Sequence, residues 1–220
     1  MTLELRRRIA MLGLLLVVIL LYFPLNQPWG TVHLLQLPID FHIPEVPVFV
    51  VPYVLNFYLL LIAVPIAMLK TPGRRFWRLT ISLLAAQLIA DLVYRFFQTT
   101  VPRPDSTPGG FFGSWLMAVR GADDPFSAFP SSHTFLTTII TWHLWGVVSR
   151  RMRPLLILNA ALIIAATVLL RQHFVADIYA GLVLAVAVCS AVDGLVPDTP
   201  TSATPRVDPQ RGVRAGNGSR

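Results

Sequence analysis

The residues able to do chemistry fall into three short stretches. The first, Arg171-Gln172-His173-Phe174-Val175-Ala176-Asp177, places a histidine and an aspartate four positions apart. On a helix that spacing puts both side chains on one face, so the carboxylate can accept from one imidazole nitrogen and leave the other lone pair aimed outward. A histidine oriented in this way can serve as nucleophile or base. The second stretch, Phe129-Pro130-Ser131-Ser132-His133-Thr134, reads as a helix start with Ser131 at the N-cap and Ser132 behind it. The free N–H groups and positive dipole end of such a helix form a seat for an anion such as phosphate. His133 lies in its first turn, where it could give a proton to whatever is bound. The third stretch holds Asp91 and Arg95, again four apart, and then Arg103-Pro104. Arg95 and Arg103 read as an anion clamp supported by Asp91. This inventory suits phosphoryl transfer without a metal or other cofactor: arginines neutralise the phosphate oxygens while one histidine attacks phosphorus in line. No carboxylate–histidine set has metal-site spacing, and there is no glycine-rich nucleotide loop.

These side chains need a scaffold, and composition says which kind. The chain has 220 residues, 55% hydrophobic and only 13% charged, with a mean hydropathy of +0.64. Soluble domains carry roughly a quarter charged residues, so a soluble enzyme is excluded, as is disorder over the whole length. The expectation is an all-α, polytopic membrane helical bundle. Apolar runs predict about six transmembrane helices, near 9–25, 47–69, 76–98, 131–148, 154–171 and 173–196. Residues 1–196 then form one integral-membrane domain, and 197–220, rich in Pro, Thr, Ser, Gly and Arg, a disordered cytoplasmic tail. The first run follows Arg6-Arg7-Arg8 without a small-x-small cleavage site after it, so it reads as a retained span. His143, ten residues beyond His133 and about 15 Å further along the helix, reads as a hydrogen-bonder between helices.

The net charge of +7 comes from 18 basic and 11 acidic residues. With six alternating spans, fourteen of the basic residues fall on one side: Arg6 to Arg8, Lys70 to Arg78, Arg150 to Arg153 and the tail. The positive-inside rule makes that side, with both termini, cytoplasmic. Arg95, Arg103, Arg120 and Arg171 are left on the opposite, extracytoplasmic side, where topology does not call for them. The basic excess therefore does not point to nucleic acid, and an RNA-binding signature is missing. The partners expected are membrane lipids and a lipid-linked phosphate substrate. The arginine-rich, lysine-poor composition suits a bacterial plasma membrane.

Taken together these motifs resemble those of the type-2 phosphatidic acid phosphatase superfamily, which run K-x6-R-P, P-S-G-H and S-R-x5-H-x3-D. Pro130-Ser131-Ser132-His133 is similar to the second motif, His173-x3-Asp177 to the end of the third, and Arg103-Pro104 to the end of the first. The motif core covers about residues 91–181. The lysine of the first motif falls on Phe96, one position after Arg95, and the arginine of the third falls on Thr167. Thr167 and Arg171 would lie one turn apart on a helix, so Arg171 is expected to supply that charge. Motif style is closest to the branch of inositol-phosphorylceramide synthases. The resemblance implies a two-step reaction: His173 takes the phosphoryl group as phosphohistidine, Asp177 orients it, and His133 protonates the leaving oxygen. Arg95, Arg103, Arg171, Ser131 and Ser132 would hold the phosphate. Head-group transfer, for example of inositol phosphate, to a lipid acceptor is the alternative within this chemistry. The alternative outside it is a non-catalytic phospholipid-binding protein or anion carrier.

Overall fold

Prolines shape one of the apolar runs expected to form helices. The computed structural model describes residues 1–196 other than 70, 72, 107 and 108; the tail at 197–220 and Lys70 lie outside the described residues. Among the described residues there are eight α-helices and no strand: α1 (Leu3–Leu20), α2 (Tyr22–Leu25), α3 (Phe57–Met68), α4 (Gly73–Phe96), α5 (Phe111–Ala122), α6 (Ser132–Leu144), α7 (Arg153–Leu169) and α8 (Val175–Leu195). The all-α expectation holds. Leu3–Leu25, Gly73–Phe96 and Val175–Leu195 are each long and apolar enough to cross a membrane, and Arg153–Leu169 is a shorter apolar helix. The run at 47–69 is not one helix. Pro47 opens a 3-10 turn (Pro47–Phe49), Pro52 opens a π-helical turn (Pro52–Asn56), and only then does α3 begin. A proline ring cannot donate the hydrogen bond that a continuous α-helix would require there. The fourth run is also shorter than its apolarity suggests, since α6 ends at Leu144.

Three helices form the centre. Along α4 the positions Leu79, Leu83, Ala86, Ala90 and Tyr94 are buried, a spacing of three and four that lines one face. They meet Phe135, Leu136, Ile139 and Ile140 of α6 and Ala185, Val188, Cys189 and Val192 of α8 in one cluster. A smaller cluster, Val50, Tyr53, Leu116, Ala166 and Leu170, joins α5 and α7 to the proline-broken segment.

Polar side chains bind the bundle at specific points. His143 stands 3.0 Å from Ser82 Oγ across α6 and α4, the inter-helix role its depth predicted. Arg8, expected only to set topology, is buried instead. Its Nη1 donates to the carbonyls of Leu69 (2.7 Å) and Thr71 (2.8 Å), and its Nε pairs with Glu4 at 3.0 Å. It thus fastens α1 to the turn that leads into α4.

Candidate functional site

The starts of α6 and α8 lie side by side, and sequence dictates how. Ser131 is the N-cap of α6, its Oγ accepting from the Thr134 N–H at 3.4 Å. Its own N–H donates to the Asp177 carbonyl at 3.0 Å, tying the first turn of α6 to that of α8. Gly181 permits this approach: a Cβ there would stand 2.9 Å from the Ser131 carbonyl oxygen. Tyr94, at the end of α4, donates to the Pro130 carbonyl at 2.7 Å and fixes the chain entering α6. Ser132 follows the cap and is half-buried.

The approach brings two imidazoles together. The rings of His133 and His173 are 6.2 Å apart, inclined at 60°. His133 stacks on Tyr53 at 4.2 Å and leans on Phe57 at 3.9 Å. Both aromatic rings come from the proline-broken segment, and their four-residue spacing was the available signal for them. His133 Nε2 is buried and has no hydrogen-bond partner in the protein. A buried polar atom in that condition costs about 1–3 kcal/mol unless a polar guest satisfies it.

His173 is held from behind. Its Nδ1 lies 3.4 Å from Asp177 Oδ2, an ion-pair distance whose angle does not make a full hydrogen bond. The same Oδ2 accepts the Phe174 N–H at 2.8 Å. Asp177 therefore both caps α8 and backs His173. A second carboxylate shares that helix end: buried Asp40 accepts from the Val175 N–H at 2.9 Å and the Leu37 N–H at 2.7 Å. Asp40 was absent from the sequence expectation, because it comes from a segment 135 residues away from Val175.

Arg171 reaches this site by a route other than the expected one. Helix α7 ends at Leu169, and the Thr167 carbonyl accepts from both Gln172 N–H (2.9 Å) and His173 N–H (3.1 Å). This closes the helix in the manner of a left-handed C-cap, with Arg171 at φ 49°. Thr167 and Arg171 are therefore not neighbours on one helix face. Arg171 instead donates to the Ile43 carbonyl at 3.0 Å. It lines, with His173, Asp40 and Gln36, a cavity of about 60 Å³. That is room for a few water-sized groups.

The clamp of Arg95 and Arg103 is not assembled. Arg95 is exposed, over the rings of Trp29 (5.1 Å) and Phe96 (5.6 Å). Asp91 faces inward and accepts from Gln87 at 2.8 Å, so it supports α4 rather than Arg95. Arg103 pairs with Asp123 at 3.1 Å and donates to the Asp123 backbone carbonyl. Asp123, just after α5, also accepts from Tyr22 (2.9 Å) and Asn26 (2.8 Å). Arg120 is the other buried cation of this face: it pairs with Glu45 at 2.6 Å and donates to the Leu170 carbonyl at 3.0 Å.

Among the described residues no three His, Cys, Asp or Glu side chains gather as metal ligands. The groups that do gather are two imidazoles, a backing carboxylate and an arginine. They can bind an oxyanion, attack it and move a proton. The model of one family, the PAP2 superfamily, matches residues 75–198. No curated protein and no solved structure matches.

Proposed function

From the premise that the chain belongs to the PAP2 superfamily, the type-2 phosphatidic acid phosphatases, we propose that it is an integral-membrane phosphatase working through phosphohistidine. Its substrate is a lipid-linked phosphate or pyrophosphate, and its site faces away from the cytoplasm. The observation that carries this reading is the 6.2 Å separation of the His133 and His173 rings with Asp177 behind His173. With a proton on Nδ1 facing Asp177, the lone pair of His173 Nε2 is free to attack phosphorus. The P–O bond to the lipid breaks as the P–N bond forms, and His133 gives its proton to the leaving oxygen. Water then attacks phosphorus from the side the lipid has left. The P–N bond breaks, its electron pair returns to His173, and His133 takes the proton from water. Arg171 is the cation best placed for the developing charge, since it shares a cavity with His173. Arg103 would turn from Asp123 toward the phosphate. Ser131 contributes through the helix start it caps, with Ser132 beside it.

Six spans with cytoplasmic termini complete the proposal, resting on the arginine distribution. The test is phosphate release in detergent from phosphatidic acid and from a polyprenyl pyrophosphate, with His173→Ala as control. Release that His173→Ala lowers by several orders of magnitude, while the fold survives, supports the reading. Silence on every lipid phosphate, with head-group transfer once an acceptor lipid is added, replaces hydrolysis by transfer of the inositol-phosphorylceramide-synthase kind. Full activity in His173→Ala ends the phosphohistidine mechanism.

A further inference from the structure

His133 is gripped on both faces. The Tyr53 ring stacks on its imidazole with centroids 4.2 Å apart and planes inclined by 15°, and the Phe57 ring lies 3.9 Å away at 30°. Two rings this close and this nearly parallel to a third would overlap on one face of it, so they take opposite faces. The local chain explains the grip. Tyr53 lies in the π-helical turn Pro52–Asn56, and Phe57 opens α3. Four residues along one helical face set Cβ atoms about 6 Å apart, which lets two rings splay around a third. Each jaw is itself backed by packing. Tyr53 is buried with Val50, Leu116, Ala166 and Leu170, in the cluster that joins α5 and α7 to this segment. Phe57 belongs to the main core of α4, α6 and α8. Neither ring can swing away without opening a packed cluster.

A ring covered on both faces meets a guest only at its edge. On that edge His133 Nε2 is buried and has no partner in the protein. The stack therefore sets the plane in which Nε2 can give or take a proton. The π faces also attract the proton-bearing, cationic form of the ring. We infer that Tyr53 and Phe57 are positioning residues, which hold the His133 imidazole edge-on to the bound phosphate so that the proton on Nε2 is aimed at the oxygen that leaves. This rests on the reading of His133 as the proton donor, and it adds the segment that aims it. With either ring cut back, the imidazole can tilt out of its plane. A tilt that moves Nε2 by on the order of 1 Å costs about a hundredfold in the step that needs its proton.

The test uses the full-length protein in detergent and two tail-less phosphomonoesters of similar size. Benzyl phosphate releases an alkoxide that must receive a proton as its P–O bond breaks, whereas p-nitrophenyl phosphate releases a phenolate that leaves without one. The value of kcat/KM reports only the steps up to that bond breaking, so the later attack of water does not enter. In Tyr53→Leu and Phe57→Leu the ratio of kcat/KM for benzyl over p-nitrophenyl phosphate is expected to fall about tenfold to a hundredfold. Tyr53→Phe and Phe57→Tyr keep a ring in place and should hold the wild-type ratio. Loss of folded protein lowers both esters alike and does not move the ratio. A wild-type ratio in the leucine variants overturns the inference and leaves the phosphatase reading standing. Where neither ester is cleaved, the phosphatase reading fails, and binding of orthovanadate, an oxyanion of the shape of phosphate, decides the inference separately by calorimetry. The leucine variants are then expected to bind it about tenfold more weakly, the loss of one hydrogen bond to a charged group, and the ring-conserving variants as tightly as the wild type. Equal vanadate affinity in every variant overturns the clamp.

Discussion

Gly181 offers the sharpest test of how the two histidines are brought together. An alanine Cβ at this position would lie 2.9 Å from the Ser131 carbonyl oxygen, 3.0 Å from Thr134 Cβ and 3.2 Å from Thr134 Cγ2. The nearest atom is backbone, so no side chain can swing aside to relieve the contact. Helix α6 must instead move a few tenths of an ångström from α8. Overpacking of this kind costs about 1–3 kcal/mol. Replacing a helical glycine by alanine gains about 0.5–1 kcal/mol. Gly181→Ala is therefore expected to be less stable by about 1 kcal/mol, a Tm lower by roughly 2–4 °C for a chain of this size. Gly194 lies on the same helix and nothing stands within 4 Å of its Cβ position. There only the gain remains, so Gly194→Ala should melt roughly 1–4 °C higher. The displaced α6 also carries His133 away from His173. Since a 1 Å misplacement can cost about a hundredfold in rate, a shift of half that predicts about a tenfold lower kcat in Gly181→Ala, with Gly194→Ala unchanged. Thermal unfolding in detergent and phosphate release from phosphatidic acid read both effects. If the two variants are equally stable and equally active, the close contact of α6 and α8 is not what sets the histidine pair.

Arg171 should separate stability from activity. Arg171→Gly and Arg171→Ala both lose the guanidinium and are expected to drop kcat/KM about 10²–10³-fold. Glycine alone accepts φ 49° without strain, so the glycine variant should be the more stable of the two by about 1 kcal/mol in a denaturation series; equal stability would count against the left-handed cap. Asp123→Ala removes the acceptor of Tyr22, Asn26 and Arg103 together and should cost roughly 3 kcal/mol of stability, and an unchanged melting curve would show that the cluster contributes little. Asp40→Asn leaves an oxygen but removes the charge at the start of α8. It should lower stability by about 1 kcal/mol and speed amide hydrogen exchange in the first turn of α8; unaltered exchange there would argue against the cap.

What could be read from sequence was what depends on near neighbours along the chain. Ser131 announces a helix start because a hydroxyl at that position satisfies an N–H three residues on, and it does so here. His173 and Asp177 do meet, but not through a helical turn: Phe174 between them is extended, and Asp177, third in α8, reaches back past the N-cap. The other pair at this spacing fails for an instructive reason. Asp91 and Arg95 have the same spacing, yet Asp91 is turned inward to Gln87 and Arg95 outward to Trp29. Spacing gives two side chains the opportunity to meet; competing partners decide whether they do. The apolar runs likewise located the helical segments but not their continuity, because hydropathy does not register the hydrogen bonds that Pro47 and Pro52 cannot make.

The cations were the least legible part, and the separations show why. Arg103 meets Asp123 across 20 residues, Arg120 meets Glu45 across 75, and Arg171 meets the Ile43 carbonyl across 128. No periodicity extends over such distances. Glu45, Ile43 and Asp40 all belong to the segment between α2 and the proline-broken turns, so one stretch of chain meets Arg120, Arg171 and the start of α8. The histidine pair is encoded in the starts of two helices, whereas the charge around it depends on that distant stretch. A substitution between Leu37 and Val46 should therefore alter phosphate affinity while leaving the 6.2 Å approach of the two imidazoles in place.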